Sequence, residues 1–196
     1  MIMKKQNARE RLLDTAADLF AQRGYHAVGI NEIIAKSETA KATFYHHFPS
    51  KEQLCVSWLQ EAHERSEKQH AAIVASPEPA EEKILAAFHG LKDWMHEKDY
   101  RGCPFTNTVC GLDRASDSIK AQVDVHKASI RNFFVRLASD ADPSGSADEV
   151  KRRGMTLFLL YSGATTESQN ARADWPIDAA IEIVQQMLGE MALIGA

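Results

Sequence analysis

Apolar residues return at intervals of three and four along almost the whole chain, and nowhere does a convincing stretch alternate with a period of two. Leu12, Leu13, Ala16, Leu19 and Phe20 form one such stripe, which Gly24 ends. Ile30, Ile33 and Ile34 mark a short second helix, with Gly29 at its N-cap and Glu32 in its first turn. A third short helix runs from about Lys41 to His47 and stops before Pro49. Ser50 and Gln53 read as a capping box that opens a long fourth helix through Leu54, Trp58, Leu59, Ala62 and Ile73. Ser76-Pro77-Glu78-Pro79 closes it.

Ile84, Leu85, Phe88, Leu91 and Met95 predict a fifth helix, followed by a loop at Tyr100-Arg101-Gly102. Pro104 stands where a first helical residue should, opening a short sixth helix. Ile119, Val123, His126, Ile130, Phe133 and Leu137 alternate steps of four and three on a long seventh. Asp140 to Asp148 is a loop with Pro143, Ser144, Gly145 and Ser146. Met155 to Tyr161 is apolar nearly all round, which predicts an eighth helix buried on more than one side. A ninth, opening just after Pro176, repeats Ile177, Ile181, Val184, Leu188 and Met191. The fold class is all-α, with about nine helices.

Hydrophobic residues at 44% and charged residues at 26% exclude a wholly disordered chain. Three cysteines make no disulfide framework and point to a reducing, cytoplasmic setting. No apolar run approaches a membrane span, and Met1 to Asn7 holds no apolar stretch for a signal peptide. Charge is uneven. Residues 1–54 carry eight Lys or Arg against six Asp or Glu, while the remainder is net −6. A polyanionic partner would meet the N-terminal end.

Three helices within about 45 residues, the last two short and tightly joined, form a helix-turn-helix pattern. In Thr39-Ala40-Lys41-Ala42-Thr43-Phe44-Tyr45-His46-His47-Phe48, Phe44 and Phe48 are spaced to anchor one face in a core. Lys41, Thr43, Tyr45, His46 and His47 spread around the rest. Lysine and histidine suit phosphates, and alanine or threonine methyls suit a thymine methyl.

The stretch Gly24 to Leu54, above all Thr43-Phe44-Tyr45-His46-His47-Phe48-Pro49-Ser50-Lys51-Glu52-Gln53-Leu54, resembles the TetR/AcrR family of bacterial repressors. The Gly24-Tyr25 pair and the isoleucine-bearing second helix are similar as well. The resemblance implies a DNA-binding domain over 1–49 and a ligand-binding, dimerising domain over 50–196. It implies that Lys41, Thr43 and Tyr45 face a major groove, with His46 and Lys51 on phosphates and Gly29, Thr39, Ala40, Ala42 and His47 beside them. Three positions depart from the family pattern. Glu38 replaces a glycine at a turn that tends to need a left-handed backbone, which predicts an altered turn. Val28-Gly29 replaces a hydroxyl pair, leaving only backbone N–H groups for a phosphate, and Ala40 replaces a capping serine.

The resemblance further implies a homodimer through the eighth and ninth helices, whose apolar stripes exceed what one monomer needs. It places a small-molecule effector among the fourth to eighth helices, where Trp58, Phe88, Trp94, Phe105, His126, Phe134, Phe158 and Tyr161 suit an apolar or aromatic ligand. Partners are thus double-stranded operator DNA, an effector and a second copy, with no cofactor. Cys103, at the N-cap of the sixth helix near Arg101, sits where a thiolate is favoured, and some family members with a Gly-Cys opening respond to electrophiles or oxidants. Cys110, seven residues on, is roughly 10 Å away and too far for a disulfide. The histidine pairs His63/His70 and His89/His96 are too widely spaced to share one metal ion, and no nucleophile-elbow or phosphate-loop motif suggests an enzyme.

Overall fold

A computed structural model of the chain describes residues 6–110 and 116–194, with side chains as far as 189. The described residues hold nine helices and no strand. These are α1 (Ala8–Arg23), α2 (Ile30–Lys36), α3 (Lys41–His47), α4 (Lys51–Ala75), α5 (Ala80–Glu97), α6 (Pro104–Cys110), α7 (Asp117–Ala141), α8 (Ala147–Ala171) and α9 (Trp175–Ile194). Among the described residues no helix is long and apolar enough to cross a membrane. Pro104 opens α6 as expected. The ninth helix starts slightly earlier than expected, because Pro176 falls in its first turn, where a missing N–H costs nothing.

The chain divides into two compact units. Two of the dividing points fall inside long helices, at Glu64/Arg65 in α4 and Asp124/Val125 in α7. The first unit takes the chain up to Glu64 together with Pro104–Asp124. Its core gathers Leu12, Leu13, Leu19 and Phe20 of α1 with Val28, Ile33, Phe44, Phe48, Leu54 and Leu59, all buried. A capping box starts α1, with the Glu10 amide donating to Asn7 Oδ1 and the Asn7 amide to Glu10 Oε2, each at 2.9 Å. Gly24, at φ 80°, ends the helix. At the start of α4 the Gln53 amide donates to Ser50 Oγ at 3.1 Å.

The second unit comprises Arg65–Cys103 and the chain from Val125 onward. Its core is built by α5, α7, α8 and α9, around Phe88, Leu91, Met95, Phe134, Leu137 and Leu157. Gly154 lets α8 lie close against α7. A Cβ there would meet the Val135 backbone at 2.5 Å. The ninth helix corrects one expectation, since Ile177, Ile181 and Val184 are spent inside this unit's own core. The eighth corrects another. Leu157 and Phe158 are buried, but Leu159 is 63% exposed, so one side of its apolar segment is uncovered within the single chain.

Candidate nucleic-acid interface and sensor region

Packing in the first unit fixes which side chains of α3 are available. Phe44 and Phe48 are buried, their rings 6.3 Å apart, and the Arg9 guanidinium of α1 lies 5.4 Å over Phe48. With that face committed, Lys41, Ala42, Tyr45 and His46 are exposed, and Thr43 and His47 are half-buried. Tyr45 stands edge-on to Phe44 at 5.2 Å, which stiffens an otherwise exposed ring. The residues expected to touch DNA on α3 therefore share its solvent side.

The turn into α3 keeps the left-handed residue that the sequence placed in doubt. Glu38 has φ 52°. Its amide donates to Ala35 O at 3.3 Å and the Thr39 amide to Ile34 O at 3.2 Å, the paired bonds of a Schellman helix end. The expected reshaping is thus corrected, because two backbone bonds and a hydroxyl pair hold the position against its strain. Ser37 and Thr39 share a hydrogen bond at 3.0 Å, and Arg11 Nε donates to Ser37 O at 3.2 Å from α1. Arg11 is a residue that local reading missed. Its partner lies 26 positions away, and nothing nearby in sequence signals it. Gly29 and Ala40 cap their helices with no side-chain bond.

Lys51, expected on a phosphate, has an ammonium that donates to Tyr25 O at 3.0 Å and Val28 O at 3.1 Å and lies 4.2 Å over the Tyr25 ring. It staples the loop between α1 and α2. Burial lowers its pKa, and burial likewise pushes Tyr25 up to about 12, helped by nearby Cys55 and Glu52. Arg23 holds the same loop, donating to Ala27 O at 2.9 Å and to Glu32 of α2 at 2.6 Å.

The residues expected to line an effector site divide between the units. In the first, Trp58 packs on Phe20 at 5.4 Å and Phe105 is fully buried. Trp58 therefore belongs to the core of the first unit. In the second, Phe88, Phe134 and Tyr161 lie 5.3–5.8 Å from one another and fill the space between α5, α7 and α8. Phe158 is buried under Arg131, His126 is buried and Trp94 is half-buried. An apolar crevice in this unit is lined by Ile84, Ala138, Leu157, Val184, Met187 and Leu188 with Arg153, none of them an expected effector residue.

Cys103 is half-buried, and the cation brought to it is Lys127, whose Nζ lies 3.8 Å from Sγ. Tyr161 has its hydroxyl pKa raised by burial and by the neighbouring Cys103. Cys110 is exposed. Cys55 is buried, and its thiol is pushed up to about 12 mainly by desolvation.

Residues 12–57, which contain the packed face of α1, the turn and α3, match the model of bacterial regulatory proteins of the tetR family. Residues 12–57 thus carry the DNA-binding domain of the tetR family. Over 96% of its length it is 24% identical to the HTH-type transcriptional repressor NemR of Escherichia coli K12, covering 98% of that protein. The HTH-type transcriptional regulator LmrA of Bacillus subtilis is 37% identical over 123 residues, 61% of this chain and 62% of that one. Among solved structures, SCO4454, a TetR-family regulator from Streptomyces coelicolor, superposes with TM-score 0.85 at 25% identity, covering 94% of this chain and 95% of that one. The reduced form of E. coli NemR superposes with TM-score 0.80 at 22% identity, over 92% and 96%. The chain therefore shares the fold of these regulators along nearly its whole length, while the family model itself falls on residues 12–57.

Proposed function

We propose that the chain is a cytoplasmic, homodimeric transcriptional repressor that binds a pseudo-palindromic operator through α3 and is released by a small-molecule effector; it is not an enzyme. One observation carries this reading. The polar side chains of α3 are presented together on a helix anchored by Phe44 and Phe48 and preceded by a closed Schellman turn. A rigid helix with an exposed Lys, Tyr and His is what major-groove reading requires. The relatives named as repressor and regulator support it.

The test is selection of duplexes from a randomised 30-base-pair library, followed by competition against unrelated DNA at matched salt. Specific duplexes should win by about a thousandfold or more. Lys41→Ala should weaken binding and flatten the salt dependence by about one ion, and His46→Ala should weaken it as well. Equal competition by random DNA would remove the repressor reading.

A second reading concerns what is sensed. Cys103 is half-buried with the Lys127 ammonium 3.8 Å from its sulfur. On this reading the same scaffold responds to electrophiles or oxidants at Cys103. The aromatic residues of the second unit, with His126, remain the proposed surroundings of a non-covalent effector.

A further inference from the structure

The turn that aims α3 is held from a third helix. Ser37, at the end of α2, is buried, and its hydroxyl donates to Ile34 O at 3.2 Å and shares a hydrogen bond with Thr39. Its carbonyl stands among the last of a helix, where intrahelical donors have run out. Arg11 of α1 supplies the donor. Its Nε gives a hydrogen bond to Ser37 O at 3.2 Å, and its Nη1 gives another to Gln6 O at 3.0 Å. Gln6 immediately precedes the capping box of Asn7 and Glu10. One guanidinium therefore ties the fixed start of α1 to the turn before α3. Glu38, the next residue, is left-handed at φ 52°, a conformation that persists only where its surroundings over-determine it.

An arginine near a helix-turn-helix invites the reading of a phosphate contact, and its surroundings argue against it. The hollow around Arg11 is lined by the carboxylates of Asp14, Asp18 and Glu38, with Lys36 the other cation. Acidic groups outnumber basic ones there, so an incoming phosphate meets repulsion. The guanidinium is also already engaged, by charge-assisted bonds to two carbonyls. What these bonds fix is a short helix with little hold of its own. α3 has seven residues, and Ala40 gives it no side-chain cap. Its direction rests on the packed Phe44 and Phe48 and on the turn that Arg11 grips.

We propose that Arg11 is a positioning residue for operator selection: it touches neither base nor phosphate, and it holds residues 37–39 so that α3 enters the major groove in one orientation. Non-specific binding is set by phosphate charge and tolerates a loosely aimed helix. Reading base edges does not, because phosphate and base contacts must form together. A turn already held spares the specific complex an ordering cost that the non-specific complex never incurs. Arg11 thus contributes to discrimination among duplexes and not to affinity for DNA in general. The proposal rests on the regulator reading above.

The experiment compares Arg11→Gln with Arg11→Met. Both lose the charge, but the glutamine amide nitrogen stands as many bonds from the backbone as arginine Nε and can still donate to Ser37 O. Methionine offers no donor. Affinity is measured for a duplex selected by wild type and for an unrelated one at matched salt, with amide hydrogen exchange at Glu38 and Thr39. The ratio of the two affinities should fall about tenfold in Arg11→Met, the worth of one hydrogen bond from a charged group, and should largely survive in Arg11→Gln. Exchange at both amides should speed in Arg11→Met alone, and the two variants should bind the unrelated duplex equally. Equal loss of discrimination in both variants, or unchanged exchange in Arg11→Met, overturns the proposal. So does a salt dependence flattened by about one ion in both, which would assign Arg11 to a phosphate. Should Arg11→Met lose its helical circular dichroism, Arg11→Ala, carrying the strongest helix former, takes its place under the same criteria. A wild type that selects no duplex defeats the regulator reading itself, whereas equal losses on a selected duplex defeat only the role of Arg11.

Discussion

Cys55 and Cys103 show how far one residue type diverges with its surroundings. Cys55 is buried on α4, and desolvation lifts its pKa to about 12 despite Lys51 nearby. Such a thiol stays protonated near neutral pH, so it is inert in the folded protein. Cys103 is half-buried with an ammonium 3.8 Å away, and Cys110 is exposed. N-ethylmaleimide at pH 7.5, followed by peptide mass spectrometry, should modify Cys103 faster than a free peptide thiol, Cys110 at about the peptide rate, and Cys55 only after unfolding. Cys103→Ser should abolish any effect of the reagent on operator affinity. If Cys103 reacts no faster than the peptide, or its modification leaves affinity unchanged, the thiol-sensing reading is wrong. Lysine 51 makes the complementary point. Its position in the motif suggested a phosphate contact, and the structure gives it two carbonyls from a loop 23 and 26 residues earlier. Long-range partners of this kind leave no local signal.

At the scale of the element, the turn between α2 and α3 carries a measurable cost. Glu38 is exposed and left-handed, a conformation that penalises a Cβ by roughly 1–2 kcal/mol, offset in part by the entropy a glycine loses on folding. Glu38→Gly should therefore stabilise the protein by about 1 kcal/mol, read as a raised urea midpoint at unchanged slope. A neutral or destabilising result would mean that the Glu38 side chain contributes more than its strain. Helix ends were the legible part of this chain. Gly24, Pro49, Ser50 with Gln53, and Pro104 each punctuate where the structure does, because caps are local chemistry. Two further ends had readable signals that periodicity alone passed over, namely Asn7 with Glu10 and Ser146 with Glu149. The α9 stripe was visible, but its destination was not. Period tells which residues share a face and says nothing of which neighbour covers it.

At the scale of the whole molecule, the apolar side chains left over after folding bear on assembly. With Ile177, Ile181 and Val184 used internally, the argument for a dimer moves to what stays outside. Leu159 on α8 is 63% exposed and Ile183 on α9 is 44% exposed, and these two helices pack on each other within the second unit. The adjoining outer surface of α8 includes Gly163, where nothing lies within 4 Å of a built Cβ, so another helix has room to approach. A two-fold pairing of α8 and α9 would cover Leu159 and Ile183 on both copies at once and present two α3 helices to two half-sites. Leu159→Glu with Ile183→Glu places charges where that interface would be dry, while the single chain tolerates them because both positions already face solvent. Sedimentation equilibrium should then report a dimer for wild type at micromolar concentration and a monomer for the variant with unchanged circular dichroism. Operator affinity of the variant should fall at least a hundredfold, because each half-site would then be bound alone and the gain from linkage is lost. A variant that stays dimeric would place the interface elsewhere on the chain, and a monomeric wild type would remove the two-half-site reading altogether.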